Sequence, residues 1–222
     1  MSRRTTIAPG AIVFDFDLTL ADSRPGFVAA HHFTTQALGL PTPSRDAIAR
    51  SIGTPLEKIV PRWFPGLDDA AASEYIRVYR KQADEVMESL TTMLPGAREA
   101  VQRLGEAGMP LAIVSQKLRH LITSVLERDG IVGCFDLILG GQDVPAFKPE
   151  PGGLLLALER LDVAPSDGLY VGDTTIDAEA ASRGGIPFVG VLSGVTTRDE
   201  FAPYKAQAVL ASVVELPDYL EL

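Results

Sequence analysis

The sequence predicts an α/β fold: a parallel sheet with helices on both faces, interrupted after its first strand by a helical insert. Three observations carry this. Short, continuous apolar runs recur along the chain, helical stretches alternate with them, and the segment from about Arg24 to Ser89 has helical patterns without a convincing buried strand. A continuous apolar run suits a strand buried on both faces, which is the condition of a parallel sheet. Alternation of strand and helix gives right-handed βαβ units.

The first run is Ala11-Ile-Val-Phe-Asp15, and similar runs follow at 111–115, 135–139, 169–173 and 188–192. Between them, helices are expected at 97–107 with a stop at Gly108, at 118–128 before Gly130, at 152–161 opened by Pro151, and at 175–183 before Gly184-Gly185. Within the insert, Phe27, His31, Thr34 and Leu38 stand at helical spacing, and Gly39 with Pro41 and Pro43 ends that helix. Shorter helices are expected at 45–52 and at 56–64, the latter carrying Trp63, and a long one at 68–90. Pro95-Gly96 marks the return. The expected organisation is therefore a core of residues 1–22 and 92–222, with 23–91 inserted as a helical cap.

Composition removes several function classes. The chain has 222 residues, with 20 Lys plus Arg against 29 Asp plus Glu and a net charge of −9. That balance argues against a nucleic-acid or anionic-membrane binder, which needs a basic face. A single cysteine, Cys134, allows no internal disulfide or thiolate metal cage, and between Gly133 and Phe135 it reads as buried and inert. No apolar run approaches the ~18 residues of a membrane span, and MSRRTTIAPG lacks the apolar stretch of a signal peptide. A cytoplasmic protein, monomer or homodimer, is expected.

Ligands of a parallel α/β sheet sit beyond the carboxyl ends of its strands, so the polar residues there are the candidates. Asp15 and Asp17 follow the first strand, two residues apart; if extended geometry continues, both point to one side. Two like charges held close are costly unless a cation or a proton neutralises one, and Mg²⁺ takes one or two carboxylates together with phosphate oxygens. Gly172-Asp173-Thr174-Thr175-Ile176-Asp177 is a second acidic cluster, with Asp173 expected to cap the next helix as well as to bind the ion. Ser115 ends another strand, and Lys148 precedes Pro149 in a loop at the same edge.

This set, Asp15-x-Asp17-x-Thr19, Ser115, Lys148-Pro149 and Gly172-Asp173-x-x-x-Asp177, resembles the four motifs of the haloacid dehalogenase superfamily. The helical insert resembles the small cap of its phosphoglycolate phosphatase-like subgroup. The resemblance implies a Rossmann-like core with a four-helix cap and an Mg²⁺-dependent phosphatase acting on a small phosphorylated metabolite. Asp15 would be the nucleophile that becomes an aspartyl phosphate, and Asp17 the general acid and then base. Ser115 and Lys148 would hold phosphate oxygens, with Thr19 and Gln116 beside the substrate. Asp15, the Asp17 carbonyl and Asp173 would bind Mg²⁺, assisted by Asp177. Phosphoglycolate is the leading substrate; a sugar-phosphate phosphatase or mutase and an inorganic pyrophosphatase are rivals in the superfamily, and a phospho-accepting signalling module is a rival outside it. Asp17 argues against halide displacement, which needs no protonated leaving group.

Two departures stand out. Leu18 occupies a position where Gly is commoner, and Leu is tolerated there only where the backbone avoids φ > 0. Gln116 stands where Asn is more usual. In the cap, the 52–58 loop resembles the substrate-contacting loop of related phosphatases: Gly53 would let the backbone approach, Thr54 would hydrogen-bond, and Arg50 or Lys58 would meet an anionic tail.

Overall fold

The apolar runs form strands too completely buried to belong to a one-sided sheet. Ala11–Phe14 (β1) has no exposed residue, and neither has Leu111–Val114 (β4) or Phe188–Val191 (β7). The structure, a computed structural model, describes residues 9–222; the N-terminal stretch Met1–Ala8, which includes most of the segment read above for a signal peptide, lies outside the described residues. In chain order the strands are β1, Ala21–Asp22 (β2), Thr92–Met93 (β3), β4, Leu137–Leu139 (β5), Gly168–Gly172 (β6), β7 and Ala208–Leu210 (β8). The helices are Arg24–Ala37 (α1), Arg45–Ala49 (α2), Leu56–Trp63 (α3), Asp69–Leu90 (α4), Ala97–Glu106 (α5), Arg119–Arg128 (α6), Gly152–Arg160 (α7), Thr175–Gly184 (α8), Arg198–Phe201 (α9) and Leu216–Tyr219 (α10).

Six strands make one sheet in the order β5-β4-β1-β6-β7-β8, every neighbouring pair parallel. Alternate residues of β1 feed the two sides: Ile12 and Phe14 pack with α5, α6 and α10, while Ala11 and Val13 pack with α7 and α8. Each fully buried Leu, Ile or Phe contributes about 1.5–3 kcal/mol, so the central strands anchor the molecule. The chain builds β4 and β5 on one side of β1 and β6 to β8 on the other. The reversal of strand order at β1 opens a crevice at its carboxyl end.

The structure corrects the expected elements in three places. The run at 135–139 yields a strand only from Leu137, because a 3₁₀ turn at Val132–Cys134 delivers the chain to it. β8 was not expected; it is a three-residue edge strand of half-buried residues, too short to show a period. β2 and β3 pair antiparallel, Ala21 opposite Met93 and Asp22 opposite Thr92, and so clamp together the exit and return points of the insert.

Helices α1, α3 and α4 pack on an apolar cluster of Ala30, Val60, Phe64, Tyr75, Tyr79, Ala83 and Met87, with Trp63 at its margin, and α2 packs on α1. Ser44 and Asp68 cap α2 and α4, accepting from Ala47 N at 3.1 Å and Ala71 N at 2.8 Å. The cluster is completed by Leu121 of α6, so the insert rests on the core by an apolar contact. Arg128 of α6 donates to Thr91 O at 2.9 Å, and His120 lies 2.9 Å from Asp84 of α4. Cys134 is half-buried, not buried as expected; burial and then Glu106 push its thiol above the ordinary range, which leaves it a weak nucleophile. Among the described residues no helix is long and apolar enough to cross a membrane.

Leu18 overturns its expectation. Its φ is 60°, in the left-handed region, and its side chain is buried. The chain reverses here between β1 and β2: Leu18 N donates to Ala21 O at 2.7 Å, and Ser193 Oγ donates to Leu18 O at 2.6 Å. Left-handed backbone costs a non-glycine residue roughly 1–2 kcal/mol, which burial of a leucine side chain offsets. Both Leu18→Ala and Leu18→Gly should therefore destabilise the protein, but the glycine variant by about 1 kcal/mol less, since only it relieves the backbone. Urea denaturation of the two variants checks this; an alanine variant as stable as the glycine variant would show that no strain resides at Leu18.

Candidate active site

The crevice at the carboxyl end of β1 collects one polar cluster from four loops. Asp15 continues the strand geometry by one residue, its N–H donating to Val171 O at 2.9 Å. Asp17 follows, then Thr19. Beyond β4 come Ser115, Gln116 and Lys117; the loop after β5 brings in Lys148; beyond β6 come Asp173 and, on α8, Asp177. Asp15, Asp17, Thr19, Ser115, Lys117, Lys148, Asp173 and Asp177 are all buried.

Lys148 organises the floor. Its Nζ lies 3.0 Å from Asp15 Oδ1 in an ion pair that lacks hydrogen-bond alignment, since Oδ1 has no hydrogen-bond partner. It donates to Asp177 Oδ1 at 2.7 Å and to the Tyr170 hydroxyl at 2.9 Å. The Tyr170 hydroxyl donates to the same Asp177 oxygen at 2.7 Å. Asp177 Oδ2 accepts from Thr174 N at 3.0 Å and from Thr174 Oγ1 at 2.5 Å. Thr174, in extended conformation, is the N-cap of α8 in a capping box with Asp177. Asp173 is therefore not the cap, contrary to expectation. It sits one residue too early and turns its carboxylate to Thr19, whose Oγ1 donates to it at 3.1 Å.

The charges explain the shifts. Burial, opposed by Lys148 and reinforced by Asp177 and Asp17, pushes the Asp15 carboxyl up to about 6. Burial followed by the charges of Asp177 and Asp15 pushes Asp173 well above the carboxylate range. Burial would raise Asp177 too, but Lys148 and the hydrogen bonds of Lys148, Thr174 and Tyr170 hold it below its ordinary value. Burial would lower Lys148, but Asp15 and Asp177 together hold it above.

Carboxylate atoms of Asp15, Asp173 and Asp177 lie within 4.8 Å of one another. Four buried carboxylates here face two buried ammonium groups, an excess of two negative charges. The donor set is all oxygen, Asp15 Oδ1 has no hydrogen bond beyond its misaligned ion pair with Lys148, and a Cβ on Gly194 would lie 1.9 Å from Asp173 Oδ2, so only glycine leaves that carboxylate free. These features fit a hard divalent cation. Asp15 and Asp173 would hold it; the oxygens of Asp177 are already committed to Lys148, Tyr170 and Thr174.

Above the floor a chamber of about 290 Å³ lies between core and insert, lined by Asp15, Asp17, Ser115, Gln116 and Lys117 below and by Gly53, Thr54, Tyr79, Arg80 and Met87 above. Asp15 and Asp17 both reach it but pair apart, since Asp17 Oδ1 accepts from Lys117 Nζ at 3.0 Å. Lys117 was missed by sequence reasoning. Its signal was a cation two residues past a strand end at the ligand edge. Its Nζ also lies 4.9 Å from the centroid of the Phe27 ring and 3.7 Å from Met87 Sδ, both from the insert. Ser115 Oγ accepts from Lys117 N at 3.4 Å, and Gln116 Nε2 donates to Lys148 O at 3.2 Å. Gly53 adopts φ 83°, and a Cβ built there would lie 4.0 Å from Thr174 Cγ2. Arg50 and Lys58 do not line the chamber. Both are exposed, and Arg50 pairs with Asp46 at 3.0 Å, because helices α2 and α3 turn these side chains to solvent. The insert cation at the chamber is Arg80 of α4, paired with Glu57 at 2.8 Å.

Comparison with known proteins agrees with this fold. Residues 12–191 match the haloacid dehalogenase-like hydrolase family, and the chain belongs to it. The phosphoglycolate phosphatase of Escherichia coli (strain K12) is 34% identical over 204 residues, covering 82% of this chain and 81% of the relative. The crystal structure of a Bacteroides fragilis protein assigned as a haloacid dehalogenase-like hydrolase superposes with a TM-score of 0.89 at 36% identity, covering 94% of this chain and 99% of the other. A predicted phosphoglycolate phosphatase from Haemophilus somnus shares the fold, with a TM-score of 0.87 at 23% identity and coverage of 96% and 98%.

An acid raised in the folded state binds a proton that the unfolded chain has lost. Asp15 therefore stabilises the protein on the acid side, and that contribution disappears as pH rises from about 4 through about 6. At pH 7 the ionised cluster is strained unless a cation joins it. Adding a divalent cation should raise Tm more at pH 7 than at pH 5, and Asp173→Asn should shrink the rise. His31, which burial holds down to about 3, titrates equally with and without the ion and cancels in the difference. A thermal shift independent of pH, or unchanged by Asp173→Asn, would count against a cation at this cluster.

Proposed function

We propose that the chain is an Mg²⁺-dependent phosphomonoesterase that works through an aspartyl phosphate on Asp15, with residues 23–91 closing as a cap over a core of 1–22 and 92–222. The observation that carries this reading is Asp15 itself. It is a buried carboxylate at the chamber floor, met at Oδ1 by the Lys148 ammonium at 3.0 Å without hydrogen-bond alignment. That is the state a nucleophile toward phosphorus needs.

Lys148 and Ser115 hold the phosphate oxygens against Asp15. As the Asp15–phosphorus bond forms and the ester bond breaks, Asp17 gives its proton to the leaving oxygen. Asp17, now ionised, takes a proton from the water that cleaves the aspartyl phosphate, so Asp15 is restored and phosphate is released. Lys117 holds the Asp17 carboxyl at the chamber side of the floor. Asp15, Asp173 and the Asp17 carbonyl would hold Mg²⁺, which would supply charge neutralisation for the phosphate oxygens when bound. Asp177 acts behind it by fixing Lys148. A cytoplasmic setting accords with this chemistry.

The name carried by the Escherichia coli relative makes phosphoglycolate the first substrate to test. Its carboxylate would meet Arg80, in place of Arg50 or Lys58. A second reading, a sugar-phosphate phosphatase, is favoured by Gln116 Oε1, a buried acceptor without a partner that a substrate hydroxyl would satisfy.

Asp15→Asn should lower Mg²⁺-dependent phosphate release by at least about a thousandfold, because the covalent route is lost, with an unchanged circular dichroism spectrum. A folded variant keeping a tenth of the activity would remove Asp15 from its role. Arg80→Ala should raise KM for phosphoglycolate by about tenfold and leave KM for ethyl phosphate nearly unchanged. Equal effects on the two esters would leave the glycolate reading without a cap cation.

A further inference from the structure

The inner wall of the chamber holds one polar group that neither the fold nor the mechanism uses. On α4 the buried residues Tyr75, Tyr79, Ala83 and Met87 recur every fourth position, one stripe facing inward. Tyr79, Ala83 and Met87 of this stripe line the chamber opposite Asp15 and Asp17. Of the other polar side chains nearby, Lys117 is committed to Asp17, Arg80 to Glu57 and Tyr75 to His31 Nδ1 at 2.9 Å, while Gln116 Oε1 on the floor is also unpartnered. The Tyr79 hydroxyl has no hydrogen-bond partner among the described residues, although the residue is only 5% exposed.

A buried hydroxyl without a partner is a standing penalty that phenylalanine of the same shape would not carry. The ring is also well held. It stacks on His31 with centroids 4.4 Å apart and planes tilted by 38°, and His31 is itself fixed by Tyr75. The ring is thus held on a rigid platform at the chamber wall, with little side-chain entropy left to lose on binding. Burial, and after it the charges of Asp17 and Tyr75, hold this hydroxyl well above its ordinary range.

We infer that Tyr79 is a specificity-determining residue, whose hydroxyl hydrogen-bonds an oxygen of the organic leaving group and so selects short oxygenated phosphomonoesters over hydrocarbon ones. This rests on the phosphatase reading and deepens it. The class includes leaving groups with a carboxylate, carbonyl or hydroxyl oxygen a carbon or two from the ester oxygen. The surrounding Phe27, Leu56, Ile59 and Met87 offer such an oxygen only apolar contact, so Tyr79 adds to Arg80 a second, uncharged partner for it.

The test compares the full-length wild type with Tyr79→Phe on phosphoglycolate, 2-hydroxyethyl phosphate and ethyl phosphate, all with Mg²⁺. The variant is expected to lose about tenfold in kcat/KM, mainly through KM, on at least one of the two oxygenated esters, as for one lost hydrogen bond to a substrate. On ethyl phosphate it should stay within about twofold. Its Tm should equal or exceed that of the wild type, because an unsatisfied hydroxyl is removed from the interior. Uniform losses on all three esters, or a lowered Tm, would make Tyr79 a structural residue and overturn the inference. Unchanged kinetics on all three would overturn it as well, with the phosphatase reading intact. A folded wild type that hydrolyses none of the three, nor an aryl phosphate, would overturn the phosphatase reading and the inference with it.

Discussion

Lys148 stands between Asp15 and Asp177, 3.0 Å from one and 2.7 Å from the other, and the architecture around it exists to make that arrangement tolerable. Desolvating carboxylates is expensive, and a buried ion pair returns that expense only with good geometry and satisfied lone pairs. Asp177 meets the condition in full, with Lys148, Tyr170 and Thr174 covering both its oxygens. Asp15 and Asp173 do not. The unequal treatment is the functional content of the site: one acid is spent on positioning the lysine, and two keep oxygens for something brought from outside.

That cluster depends on the sheet. Parallel strands buried on both faces end together, and the reversal of strand order at β1 leaves the carboxyl ends of β1, β4 and β6 around one crevice. Backbone polar groups in these strands are satisfied by the ladder, so the side chains just beyond the ends can be committed to ligand chemistry. The tight reversal through Leu18 is part of the same construction. A buried leucine with φ 60° is kept because its side chain packs inside and its carbonyl is held by Ser193.

The insert adds a roof with a different chemistry from the floor. The floor is ionic; the roof is largely apolar, with Phe27, Leu56, Ile59 and Met87 around a few polar side chains. Core and insert meet through Lys117, whose ammonium reaches Asp17 on one side and lies beside Phe27 and Met87 on the other. A shift of the insert would therefore be felt at Asp17, the proposed general acid.

How much of this was readable in advance follows from the range of the interactions concerned. The strands, the helices from α1 to α8, the insert and the motif residues Asp15, Asp17, Ser115, Lys148, Asp173 and Asp177 are local in pattern: apolar runs, helical periods and polar residues at run ends. β2, β3 and β8 were not readable, because two or three residues carry no period and form only where a partner strand is supplied. The same limit explains Asp173, expected as a helix cap, where the backbone gave that place to Thr174. It explains Arg50 and Lys58 as well: their nearness to the Gly53 loop is nearness in sequence, while the directions in which α2 and α3 face are fixed by packing on α1 and α4 respectively. Lys117, Arg80 and Tyr79 acquire their places only when α4 lies across α6. The sequence alone determined the class of fold and the ionic floor, since both rest on residues adjacent to strand ends. Only the tertiary structure decided which side chains roof the chamber, because that depends on contacts between helices distant in the chain.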